Sequence, residues 1–218
     1  MKVFFQTISW VFMPILMPVY GLLIAMFSPS EPFNLGDGNS LYFYPLINKL
    51  IILGFFVVFS VIIPGIIYII MQKLNYLKTV EMDDKEERKT PMIIMSLCCL
   101  FLLYLFNSLS TELPKYIYAL CFSGAFIISL FSFINIRFKI SLHATGVGIF
   151  TGFLMAYFAD QVYFKIYFLA LAFILSGLVI TARLYLQKHS FKEVILGYFL
   201  SLVITFALNL YYPTGTIL

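Results

Sequence analysis

Ala182-Arg183-Leu184-Tyr185-Leu186-Gln187-Lys188-His189-Ser190-Phe191-Lys192-Glu193 is a polar segment held between two apolar runs. Residues 164–181 before it and 194–211 after it are each long and apolar enough to cross a bilayer as a helix. The segment therefore joins two spanning helices at one membrane surface. It carries an Arg, a His six residues later and a carboxylate four residues after that. A histidine that attacks phosphorus needs a carboxylate to hold its ring and a cation to neutralise the anion it attacks. This segment contains both residue types.

The rest of the chain agrees with a membrane setting. Of its 218 residues, 62% are hydrophobic and 11% charged, where a soluble domain has about 25% charged residues. The charges cluster between continuous apolar runs, which favours helices over the alternating strands of a barrel. The fold class is all-α, a polytopic helical membrane protein with about seven transmembrane helices. The net charge of +4, with no basic tail interleaved with aromatics, gives no sign of nucleic-acid binding. Cys98, Cys99 and Cys121 lie in apolar runs and read as small packing residues.

Taken in order, the first apolar run spans Ser9 to Phe27 with Pro14 and Pro18 inside it, a retained and kinked first helix. It is longer than the 7–15 residues usual for a signal peptide core, and Phe27-Ser28-Pro29-Ser30 is a poor cleavage site. Residues 28–45 form a turn-rich connection ending in the aromatic Leu41-Tyr42-Phe43-Tyr44. A second helix covers about 47–71, with a kink expected at Pro64-Gly65. Residues 72–91 are the most charged segment. Helices follow over about 92–108, 116–135, 144–159, 164–181 and 194–211. The whole is one integral membrane domain: a helix pair over 1–72, a polar loop over 73–91 and a helical core over 92–211. Gly146, Gly148 and Gly152 have the wrong spacing for a nucleotide loop; the four-residue step from Gly148 to Gly152 suits close helix packing.

Seven crossings fix a parity. The loop around Lys85–Pro91, the segment Lys139–His143 and the segment Arg183–Glu193 are separated by two crossings each, so all three emerge on one face with the N-terminus. The chain has two histidines, His143 and His189, and each opens a spanning helix on that face.

Three short patterns on this face resemble the signatures of the type 2 phosphatidic acid phosphatase superfamily. The family's last signature reads Ser-Arg, five residues, His, three residues, Asp; Arg183 and His189 match it, with Ala182 for the Ser and Glu193 for the Asp. Its middle signature reads Pro-Ser-Gly-His; Ser141 and His143 match, with Ile140 and Leu142 in the other two places. Its first reads Lys, six residues, Arg-Pro; Lys85-Glu86-Glu87-Arg88-Lys89-Thr90-Pro91 has the basic residues and the Pro without that spacing. The resemblance covers roughly residues 85–210, and the first two helices contribute nothing specific to it.

The resemblance implies an integral membrane phosphatase acting on a phosphate monoester or diphosphate of a lipid through a phospho-histidine. His189 would be the nucleophile and Glu193 would orient it. His143 would protonate the leaving oxygen and then activate water. Arg183, Arg88, Lys85 and Lys89 would hold the phosphoryl oxygens, and Ser141 would donate a hydrogen bond. No cofactor or metal is implied, and candidate metal ligands are few. The implied partners are a phosphorylated membrane lipid and the bilayer; protein partners are not indicated.

Other readings of the same residues stand beside this. Ser190 and Glu193 also form a capping box opening a helix. Arg88, Lys85 and Lys89 equally suit a solvated loop. The same fold without turnover would serve as a non-catalytic subunit or headgroup-binding protein. Transport is a weaker alternative, because the spans carry almost no ionisable groups away from the motif face. Eleven of the fourteen Lys and Arg residues fall on the motif face, against Lys49, Lys115 and Lys165 on the other. The positive-inside rule then places the site toward the cytoplasm, whereas family members with known lipid substrates usually face outward. The expected location is a bacterial cytoplasmic membrane.

Overall fold

In the computed structural model, which describes residues 1–33, 40–77, 86–109 and 113–213, seven helical segments are long and apolar enough to cross a membrane. Among the described residues the protein is all-α apart from one short pair of strands.

The first span is broken. Helix α1 (Lys2–Val11) ends before a short 3-10 turn at Pro14–Leu16, and α2 (Met17–Phe27) continues. Pro14 has no N–H to donate and its ring cannot follow a helical turn, so the break falls there. The Tyr20 hydroxyl donates to Val11 O at 3.0 Å across the break. The second span runs through α3 (Leu46–Phe56), a wide π-helical turn (Val57–Ile62) and α4 (Ile63–Lys73). The irregularity expected at Pro64 is thus a π-turn just before it, which accommodates the missing donor. Inside that turn the Ser60 hydroxyl donates to Phe56 O at 2.5 Å.

The third span begins earlier than the charge pattern suggests. A 3-10 turn at Glu86–Arg88 leads into α5 (Lys89–Asn107), with Pro91 in the first turn, where a missing N–H costs no helical bond. Helix α6 (Lys115–Ile134) is followed by α7 (Leu142–Ala159), capped by the Ser141 hydroxyl, which accepts from Ala144 N. Helix α8 (Ile166–Tyr185) extends four residues beyond the apolar run, so Arg183 lies in its last turn. Helix α9 (Phe191–Leu210) opens with the Ser190–Glu193 capping box.

Helix α7 is the central element: 78% of its span is buried, against 28% for α8. Gly148 and Gly152 let α9 approach it closely. A Cβ at Gly148 would meet Tyr198 O and Ser201 Oγ, and one at Gly152 would lie 2.5 Å from Leu202 O. This is the close packing that small residues permit in membranes. Side-chain hydrogen bonds add further ties: Ser96 to Ser129 at 2.7 Å between α5 and α6, Thr151 to Ser176 at 2.9 Å between α7 and α8, and Asn209 to Ser123 at 3.1 Å between α9 and α6. The outer faces are apolar: Ile66 and Ile69 on α4, Leu97 and Phe101 on α5, Phe173 and Ile174 on α8 are all exposed. Such a surface suits hydrocarbon, and in water would be a large exposed patch.

At the other end of α7 from its Ser141 cap, strand β1 (Ser30–Pro32) pairs antiparallel with β2 (Gln161–Phe164). The sequence reads these segments only as turns. Ser30 Oγ lies 3.0 Å from the Tyr157 hydroxyl, and Asp160 receives Lys115 Nζ at 2.6 Å and the Tyr116 hydroxyl at 2.5 Å. These contacts fasten one end of the bundle; the two histidines lie at the other.

Candidate active site

His189 is held between two helix ends. Helix α8 closes with Gln187 in the left-handed region, at φ 54°. Lys188 N donates to Arg183 O at 3.1 Å, the six-to-one bond of a Schellman turn. Three residues after Gln187, at Ser190, the cap of α9 begins. The chain at His189 thus has little freedom, because both neighbouring turns are fixed by backbone hydrogen bonds.

The ring is fixed as well. His189 Nδ1 lies 2.6 Å from Glu193 Oε2, one turn further along. The histidine side chain is 2% exposed and the carboxylate 19%, so the ring is buried while the carboxylate reaches the edge. The same Oε2 accepts Ser190 N–H at 3.4 Å. Capping and orientation are therefore one arrangement. A carboxylate only accepts, so Nδ1 carries the proton and the neutral ring has its lone pair on Nε2.

His143, in the first turn of α7, has the complementary arrangement. Its Nε2 lies 3.2 Å from the carbonyl of Ser9 on α1. A carbonyl only accepts, so Nε2 bears the hydrogen and Nδ1 holds the neutral ring's lone pair. Arg183, His189 and Arg88 are all near enough to His143 to act on it electrostatically. The first helix, which the sequence patterns leave without a role, therefore fixes one of the two histidines.

Both arginines are 2% exposed. Arg88 donates through one guanidinium nitrogen to Ile140 O at 2.6 Å, which ties the start of α5 to the connection between α6 and α7. Arg183 comes from the last turn of α8. Arg88, Arg183, His143 and His189 line one cavity. Two guanidinium groups at a buried wall stabilise negative charge more than they would in water.

Other candidates are placed differently. Ser141 is fully buried as the α7 cap, and its N–H donates to Glu193 O at 3.3 Å. It braces α9 and is not among the cavity-lining residues. Lys89 is exposed at the start of α5, away from the cavity wall. Lys85 lies outside the described residues. Leu142, where the resembled signature has Gly, lines the cavity beside His143.

The fold and site together define a polytopic helical membrane protein with a buried cavity headed by two histidines and two arginines. No protein-family model, curated protein or solved structure matches the chain.

Proposed function

We propose that the protein is an integral membrane lipid phosphatase, hydrolysing a phosphate monoester or diphosphate of a lipid through a phospho-histidine. The observation that carries the reading is the 2.6 Å contact between His189 and Glu193 at a cavity shared with His143, Arg88 and Arg183. In the first step Nε2 of His189 attacks phosphorus and the bond from phosphorus to the lipid oxygen breaks. With the phosphate dianion balancing the two arginines beside it, His143 is charged and gives a proton to that oxygen. In the second step water attacks the phospho-histidine, His143 takes the water's proton, and phosphate leaves His189. Arg88 and Arg183 hold the phosphoryl oxygens as charge moves onto them. Glu193 is a positioning residue that holds the tautomer and stabilises the charged imidazole. The excess of Lys and Arg on this face supports a site toward the cytoplasm.

A non-catalytic protein that holds a lipid headgroup is the second reading. It is favoured by Leu142, whose side chain occupies cavity wall where an approaching phosphate would use bare backbone. Phosphate release over a panel of lipid monophosphates and diphosphates in detergent separates the two. Release that disappears in His189→Ala supports the phosphatase; no release from any lipid by the unaltered protein supports the second reading.

A further inference from the structure

The cavity does not stop at the polar end. On α5 its wall is one stripe, Arg88, Met92, Met95, Cys99 and Leu102, spaced alternately by four and three residues. At ~1.5 Å per residue, Arg88 to Leu102 covers ~21 Å. That is deeper than the ~15 Å half-thickness of a hydrocarbon core. The rest of the wall comes from Pro14 and Met17 of the first span, Phe56 and Phe59 of the second, and Cys121 and Gly124 of α6.

Below the polar head the channel is apolar. Tyr68 brings one hydroxyl to its wall, and the hydroxyls of Ser60 and Thr145, which also line it, donate to Phe56 O and Ser141 O in their own segments. The channel is also narrow. About 110 Å³ is open to the centre of a water-sized occupant; over ~21 Å that is a cross-section of ~5 Å², which leaves room for one occupant abreast. Phe56, Leu102 and Leu120 form the floor. Behind them Phe106 is buried, with its ring 5.9 Å from that of Phe56 and 5.7 Å from that of Phe55.

We propose that this channel takes the single apolar chain of a phosphate-headed amphiphile, and that its floor at Phe56, Leu102 and Leu120 sets the chain length accepted. The inference rests on the phosphate-binding role given to the polar end above. Charge complementarity commits the head: two arginines face the anion at one end, and none of the described residues lining the other is charged. Width commits the tail: one chain fits, and a diacyl lipid would leave its second chain outside. An alkyl phosphate, a monoacyl glycerophosphate and an isoprenoid phosphate share this chemistry.

The test is thermal stabilisation of the full protein in detergent by n-alkyl phosphates from hexyl to eicosyl, with phosphate release measured on the same samples. Stabilisation should rise with chain length to an optimum and then fall, and phosphatidate should stabilise less than the best single-chain ligand. Gly124→Phe should move the optimum to shorter chains, since a Cβ at Gly124 meets only Cys99 Sγ, at 3.4 Å, and the added ring would occupy the channel. Leu102→Ala should move it to longer chains, and it provides the reading if Gly124→Phe does not fold. Lysophosphatidate and farnesyl phosphate, run beside hexadecyl phosphate, rank the natural sources of the chain. An optimum that Leu102→Ala leaves in place, no optimum at all, or phosphatidate equal to the best single chain overturns the proposal. Chain-length-dependent stabilisation without phosphate release would overturn the phosphatase and leave the channel standing; release indifferent to chain length would do the reverse.

Discussion

His189 Nδ1 and Glu193 Oε2 lie 2.6 Å apart across one turn, and the same oxygen accepts the backbone N–H of Ser190 at 3.4 Å. One carboxylate thus orders both the ring and the start of α9. The two duties make different demands on residue type, and substitution separates them. Glu193→Gln keeps an acceptor for the capping box, so the melting temperature in detergent should change little. It removes the negative charge facing the imidazole, and turnover should fall by up to about four powers of ten, as carboxylate loss does in a Ser-His-Asp triad. Glu193→Asp, which restores a carboxylate, should retain far more activity than Gln. Full turnover in Glu193→Gln would remove the positioning role.

Phosphate should be trapped on His189 during turnover as an acid-labile, base-stable adduct. His143→Ala should accumulate more of it, because the proton taken from attacking water then has no acceptor. Quenched-flow labelling with a radioactive lipid phosphate measures both. An adduct that persists in His189→Ala would place the nucleophile elsewhere.

Arg183→Lys keeps the charge and loses the planar fork. A charge-assisted hydrogen bond contributes about 1.5–3 kcal/mol, so kcat/KM should fall roughly ten- to a hundredfold. Arg88→Lys should lose activity and also melt lower, because the same guanidinium ties α5 to Ile140 O. Equal effects on melting in the two variants would contradict the separate placements of the arginines.

Gly148→Ala and Gly152→Ala should each lower the melting temperature, by overpacking worth about 1–3 kcal/mol. The added Cβ meets backbone of α9, which cannot rotate aside. Gly177→Ala is the control, since nothing lies within 4 Å of its Cβ position. Similar melting in all three variants would mean that α7 and α9 are not so closely packed.

Cysteines introduced at Lys139 and Lys188 should label from the same side of sealed vesicles. Ser141 N–H to Glu193 O, at 3.3 Å, joins the two connections directly. Labelling from opposite sides would end the shared site.

The seven spans were legible in the sequence because crossing a bilayer is a local requirement, met by run length alone. The Ser190–Glu193 box and the His189–Glu193 pair were legible for a similar reason: residues three and four apart on a helix meet whatever the rest of the chain does. Helix ends were less so. Arg183 sits inside α8 because Gln187, a non-glycine residue in the left-handed region, closes that helix, and no local pattern announces such a turn. The tertiary structure alone decided the rest. Ser9 O reaches His143 across 134 residues of sequence, through a backbone carbonyl that has no side-chain signature. Arg88 is buried at Ile140 although its sequence neighbours read as a solvated loop. The channel belongs to no segment: α5 supplies a stripe of Met, Cys and Leu that could equally pack against another helix. Only the arrangement of the two broken N-terminal spans around it leaves space there, because packing, unlike run length or helical spacing, depends on every partner at once.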